Sequence, residues 1–234
     1  FVDSALPRED RGLLLTRLKS VTGDCNLFYE IRADVNRQDM RQLRETGVTM
    51  VQAGIEALDT RTLKLLNKGV SAWRNLQLLK WAREYGMRIN YNLLWGFPGE
   101  QDQWHAELAQ WLPLIEHLHP PLRLQPIRFD RFSVYHREAA RLQLKLRPRA
   151  ALKHIYPLND DQLKELAYHF TDQPLHDNLL DTWRGELSDE PPGPGWRAVA
   201  SVLKQWRKRY FGHSPSPILA LTERKNELII LDTR

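Results

Sequence analysis

Between Leu27 and Phe129, short runs of β-branched and aromatic residues alternate with longer stretches of helical periodicity, and this alternation constrains the fold most. Leu27-Phe28-Tyr29-Glu30-Ile31-Arg32 reads as a strand. Asn36 then caps a helix running to Thr46, with Gly47 as its stop. Val48 to Gly54 is the next strand; Asp59 or Thr60 caps a short helix ended at Gly69; Ser71 caps another carrying Leu76, Leu79 and Trp81 before Gly86. Arg88 to Trp95 gives a third strand, Glu100 to His117 a helix, and Leu122 to Phe129 a last strand. Strands and helices in this order, joined this closely, build parallel β/α units. Ahead of them, residues 8–20 place Leu14, Leu15 and Leu18 at helical spacing.

After about Tyr135 the pattern changes to a smaller α+β region. Residues 140–160 are basic and broken by Pro148 and Pro157, and Asp160 or Asp161 caps a helix through Phe170. Residues 185–195 are a Pro- and Gly-dense loop. The helix after it carries Trp196, Val199, Leu203, Trp206 and Tyr210 on one stripe, and Pro217 to Thr233 reads as a hairpin about Arg224-Lys225-Asn226.

Composition narrows the chemistry. The 234 residues are 42% hydrophobic and 27% charged, enough for one sizeable domain or two small ones. No apolar run is long enough to span a bilayer. FVDSALPRED lacks the basic and apolar regions of a signal peptide, so the expected location is cytoplasmic, with no membrane partner. A net charge of +5 permits an acidic partner without demanding one. The single Cys25 excludes disulfides within the chain, a cysteine zinc site and a self-sufficient iron–sulfur cluster; it reads as a buried small hydrophobe. His117 and His119 point apart at i, i+2 spacing, which gives no metal site. Trp73, Trp81, Trp104 and Trp111 read as packing residues, and the basic end of the last helix, Arg207 to Arg209, as a solvated face.

Strands buried on both faces are near-continuously apolar, and these are not. Alternate side chains share a face, which places Glu30 with Arg32, Gln52 with Gly54 and Glu56, Asn90 with Asn92, and Arg123 with Gln125. An internal amide and salt-bridge network accounts for any one of these. Their recurrence on four successive strands, several near the C-terminal end where β/α barrels carry ligands, favours a polar ligand cavity. Gly54-Ile55-Glu56 and Gly96-Phe97-Pro98-Gly99-Glu100 follow strands and put glycines where the backbone turns sharply or approaches a ligand.

Together these residues resemble the radical S-adenosylmethionine (SAM) superfamily. VTMVQAGIEALDTRTLKLLNKG followed by RINYNLLWGFPGE is similar to the fourth and fifth strands of its six-stranded partial barrel. GIEALDTRTLKLLNKGV, LLKWAREYG and QPIRFDRFSVYH resemble its cobalamin-dependent branch, in particular proteins that mature ribosomally made peptides. The resemblance covers residues 1–140 most clearly and the remainder, to ELIILDTR, more loosely.

It implies an α/β fold: an incomplete (β/α)6 partial TIM-type barrel, strands two to six, over residues 1–140, then an α+β C-terminal region over 141–234 that is truncated. The implied SAM-facing residues are Asp3 at the end of strand two, Glu30 and Arg32 on strand three, Gln52, Gly54 and Glu56 toward the ribose or amino group, Asn90 and Asn92 in the same cavity, and the backbone about Gly96, Pro98 and Gly99 toward adenine. No catalytic residue is assigned. A 4Fe–4S cluster and cobalamin are implied for an intact enzyme, but the CxxxCxxC loop and the cobalamin domain are absent here. The expectation is therefore a C-terminal fragment of a cobalamin-dependent C-methyltransferase, inactive alone. Its expected partners are a precursor peptide and a missing N-terminal half, not nucleic acid. The other reading is a degenerate, non-catalytic barrel that binds peptide or nucleic acid.

Overall fold

The computed structural model describes residues 15–17, 20, 23, 25–172, 193–225 and 227–234. Asp3, most of the 8–20 segment and most of the 185–195 loop lie outside the described residues. The chain divides into two compact units, one made of Phe1–Leu93, Glu100–Arg123 and Pro192–Arg234, the other of Leu94–Gly99 and Leu124–Pro191.

In the first unit, β1 (Leu27–Ile31), β2 (Val48–Ala53) and β3 (Arg88–Asn90) form a parallel sheet in that order. Helix α1 (Arg37–Glu45) links β1 to β2; α2 (Thr60–Leu65) and α3 (Ala72–Glu84) link β2 to β3. Each helix begins where a short polar side chain satisfies free N–H groups. Asn36 and Asp39 form a reciprocal capping box, Asp59 accepts from the amides of Arg61 and Thr62, and Ser71 accepts from that of Arg74. Tyr29, Ile31, Val51, Ala53 and Ile89 are buried on one face of the sheet, and Met40, Leu43, Leu78, Leu79 and Ala82 of α1 and α3 are buried with them. A one-residue slip would put this apolar set on the wrong face, so the alternation fixes the register.

The expected strand Arg88–Trp95 is interrupted at Tyr91: β3 pairs with β2, while β4 (Asn92–Trp95) pairs with β5 (Arg123–Pro126). The Tyr91 hydroxyl donates to the His119 carbonyl at 3.0 Å. The helix expected over Glu100–His117 runs as α4 (Asp102–Trp111) and tightens to a 3-10 turn over Leu112–Ile115, because Pro113 has no N–H to continue it. Helix α8, Pro194–Gly212, buries the whole expected stripe, Trp196, Val199, Leu203, Trp206 and Tyr210, against α4 and the 3-10 turn. Its basic end is less solvated than expected, since Arg207 donates to the carbonyls of Pro121 and Leu122 and Arg209 pairs with buried Glu116 at 2.6 Å. The antiparallel hairpin β9 (Leu219–Arg224) and β10 (Glu227–Asp232) closes the chain as expected.

The second unit holds the end of β4, most of β5, and an antiparallel sheet in which β8 (His169–Thr171) lies between β6 (Phe129–Asp130) and β7 (Arg147–Pro148). Short helices α5 (Val134–Arg137), α6 (Ala151–Ile155) and α7 (Asp160–Leu166) accompany it. The helix expected to reach Phe170 stops at Leu166, and Phe170 lies in β8; its cap is Asn159, in a capping box with Gln162, rather than Asp160 or Asp161.

Two packing expectations fail. Cys25 is exposed, two residues before β1. Trp73 is 68% exposed on the first turn of α3, whereas Trp81 is buried and Trp104 half-buried beneath the Arg61 guanidinium, 5.2 Å from the ring. No helix among the described residues is long and apolar enough to cross a membrane.

Candidate functional site

The parallel register places Glu30 beside Gln52 and Gln52 beside Asn90, so three polar side chains form one row across β1, β2 and β3. Strands about 4.8 Å apart make such a row about 10 Å long. Glu30 and Gln52 are exposed and Asn90 half-buried, on the face opposite the apolar core. Asn90 donates from Nδ2 to the Met50 sulfur at 3.5 Å.

Two residues further along the chain lie Arg32, just past β1, Gly54, just past β2, and Asn92, at the start of β4. Arg32 is exposed and paired with Asp34 at 3.3 Å. Gly54 leaves its strand end open: an added Cβ would meet only Lys68 Nζ at 3.8 Å and Glu56 Oε1 at 3.9 Å. Asn92 is half-buried, and its Oδ1 is shielded from solvent with no hydrogen-bond donor among the described residues. Such an acceptor costs about 1–3 kcal/mol unless something donates to it.

Glu56 stands just past β2 with φ +57°, a left-handed conformation, and its carboxylate is ion-paired with Lys68 at 2.6 Å. Two groups hold this loop that sequence reasoning missed. Fully buried Asn75, on α3, donates from Nδ2 to the carbonyls of Ala57 at 2.8 Å and Ile55 at 3.2 Å. Lys68, in the turn after α2, brings a cation to the C-terminal end of β2. The only sequence signal for Lys68 is its place before Gly69, and Asn75 has none. A backbone bridge between Glu56 and Leu93 ties the loop to β4. At the cap of α2, burial pushes the Asp59 carboxyl up, but hydrogen bonds from Arg61 and Thr62 outweigh it and hold it below the ordinary range.

Gly96, Pro98 and Gly99 belong to the second unit. Gly96 and Gly99 have φ +87° and +85°, which L side chains resist, so the turn itself requires glycine. Phe97 between them is buried, its ring centroid 6.5 Å from that of Tyr135, and the Trp95 carbonyl accepts from the Ile127 N–H at 2.8 Å. Elsewhere in the first unit, His105 is buried with its ring 3.9 Å from that of Trp196 and its Nε2 3.1 Å from the Glu100 carboxylate, another pairing without a local sequence signal. Among the described residues no three His, Cys, Asp or Glu side chains converge to hold a metal ion.

Residues 4–112 match the model of the Radical SAM superfamily. No curated protein sequence is a significant match. Among solved structures, the radical SAM methyltransferase TsrM from Kitasatospora setae, with cobalamin and a 4Fe–4S cluster bound, is similar over 84% of this chain and 48% of its own, at 12% identity and a TM-score of 0.53. The same protein with tryptophan substrate and a SAM analogue bound is similar over 86% of this chain and 41% of its own, at 11% identity and a TM-score of 0.50. The archaeal Methanocaldococcus infernus Elp3 with an N-terminal deletion aligns over 50% of this chain and 28% of its own, at 20% identity and a TM-score of 0.41. This chain therefore spans less than half the length of each of these proteins. It shares with TsrM an α/β fold, here built on a parallel sheet.

Proposed function

We propose that this chain, with its match to the Radical SAM superfamily over residues 4–112, is the SAM-binding portion of a cobalamin-dependent radical SAM C-methyltransferase that modifies a ribosomally synthesised precursor peptide. The observation that carries the reading is the in-register row Glu30–Gln52–Asn90, with the donorless Asn92 Oδ1 two residues along the chain from Asn90. Carboxylate and amide oxygens accept from ribose hydroxyls and from the SAM ammonium, and amide N–H groups donate to its carboxylate. Lys68 beside Glu56 adds a cation at the same strand end, and open Gly54 leaves room for a ligand.

SAM fits these residues; it supplies the methyl group and the 5′-deoxyadenosyl moiety when bound, while the protein orients it and excludes water. The 4Fe–4S cluster does not fit them. It needs several thiolates, and the chain contains one cysteine, which is exposed. Under this reading the thiolates and the cobalamin site come from a separate N-terminal portion of the enzyme. The second reading is a non-catalytic degenerate barrel that binds peptide or nucleic acid.

Equilibrium dialysis with radiolabelled SAM separates the two. The enzyme reading expects saturable binding at one site, weakened about tenfold by Gln52→Leu, the loss of about one good hydrogen bond. Asn92→Leu weakens SAM binding similarly yet raises the melting temperature without SAM, because it removes a donorless buried oxygen. No saturable binding, or the same affinity in all three proteins, overturns the SAM reading and leaves the binding barrel.

A further inference from the structure

The second unit presents an aromatic and aliphatic patch on a basic segment that the SAM reading does not use. Phe132 sits in the turn between β6 and α5 with φ +68° and is 70% exposed. Turns of this geometry favour glycine or asparagine. A bulky ring there resists the backbone and gains no burial inside the unit. Its neighbour Arg131 fixes what lies alongside. The Arg131 N–H donates to the Tyr168 carbonyl at 2.7 Å, and its guanidinium donates to the carbonyls of Ala167, at 2.7 Å, and Lys164. The end of α7 and the start of β8 are thereby held against the turn. Leu166 and Tyr168, 50% and 54% exposed, are in this way brought near the turn that carries Phe132 and the 51% exposed Val134.

The segment that runs on from the patch is predominantly basic, while Glu165, exposed beside Leu166, carries the opposite sign. From Arg131 to Tyr156 there are seven Lys and Arg residues and one acid, Glu138. That acid is taken by Arg141. Arg137 lies one helical turn from Val134, on the same face of α5. Arg147 pairs with Thr171 of β8, three residues in sequence from Tyr168. Both arginines are exposed and lack an acidic partner among the described residues.

We propose that this surface binds an acidic, amphipathic peptide segment. Its apolar side chains lie on Phe132, Val134, Leu166 and Tyr168, and its carboxylates meet Arg137 and Arg147. The aliphatic members decide against nucleic acid, whose bases stack on aromatic rings but gain nothing comparable on Val134 and Leu166. The surface stands on the second unit alone, so it survives or fails independently of the SAM row.

Fluorescence anisotropy without SAM tests it, using the full chain and a fluorescein-labelled peptide of glutamate and leucine with leucine at helical spacing. The same peptide with glutamine for glutamate and an oligouridylate RNA serve as comparisons. The glutamate peptide binds with an affinity that falls as salt rises, and the glutamine peptide binds about tenfold more weakly, on the scale of a close charge pair. Phe132→Gly melts higher, because glycine accepts the turn, yet binds at least about fivefold more weakly through lost contact area. Arg137→Glu with Arg147→Glu abolishes binding at unchanged melting temperature. No binding of the glutamate peptide, equal binding of the glutamine peptide, preference for the RNA, or full affinity in Phe132→Gly overturns the proposal.

Discussion

At Gly195 a Cβ would lie 2.2 Å from the Asp102 carbonyl oxygen and 2.8 Å from the Ala106 backbone nitrogen. The Gly195 N–H meanwhile donates to the Asp102 carboxylate at 2.8 Å, so the start of α8 is held against α4 where no other residue fits. Neither backbone atom can move like a flexible side-chain end. Gly195→Ala therefore costs about 1–3 kcal/mol, the usual range for overpacking, and urea denaturation should show it as a lower midpoint. Asn75 acts through polarity instead. Asn75→Leu leaves the Ile55 and Ala57 carbonyls without their buried donor. The expected loss is again about 1–3 kcal/mol, and hydrogen exchange should quicken in the loop that carries Glu56. Unchanged exchange there would separate Asn75 from the site and leave it a packing residue.

At the scale of elements, what could be read depended on whether the determining signal was local. The row Glu30–Gln52–Asn90 was legible because strand alternation assigns faces before any pairing is known, and parallel pairing then aligned the three faces. Asn36, Asp59 and Ser71 were legible as caps because capping acts within three residues. Lys68 reaches Glu56 from 12 residues away and Asn75 reaches Ile55 from 20, so no window of local pattern contains either pair. Strands β6 and β7 have two residues each, too few to show a period of two, and β8 was absorbed into the expected helix before it. The break at Tyr91 was equally invisible, since a strand that changes neighbours keeps its alternation. Helix α8 shows the opposite case, a stripe so regular that every expected residue is buried. Trp206 is its centre, fully buried, with its indole N–H donating to the Leu118 carbonyl at 3.0 Å. Trp206→Ala should cost about 3–5 kcal/mol and Trp206→Phe less, since the phenyl fills most of the space and loses mainly the hydrogen bond. Thermal melts of the two variants give that order; equal losses would assign the whole effect to the hydrogen bond.

At the scale of the first unit, two histidines join the sheet, α8 and the hairpin through groups that respond to pH. Burial lowers His119 to about 4, helped by Arg83 and Arg88 and opposed by a hydrogen bond with the Met87 backbone. Burial likewise lowers His117 to about 4, helped by Arg234 and Arg83 and opposed by Asp232. The His119 carbonyl accepts from Tyr91, its ring centroid lies 4.9 Å from that of Tyr210 on α8, and the Tyr210 hydroxyl accepts from Arg83 at 3.1 Å. Both imidazoles are neutral in the folded state and take up protons near pH 6.5 when the chain unfolds. The unfolded state thus binds more protons below that value, and stability present above pH 6.5 is lost as pH falls toward about 4. Asp232, held at about 2 by the Arg234 guanidinium, works in a separate window: its contribution is complete above its ordinary 3.8 and is lost only below that. The two windows barely overlap. His117→Gln with His119→Gln should flatten the decline in melting temperature between pH 6.5 and 4.5 while leaving the steeper fall below pH 4. An unchanged slope between pH 6.5 and 4.5 would mean that these rings take up protons without parting α8 and the hairpin from the sheet.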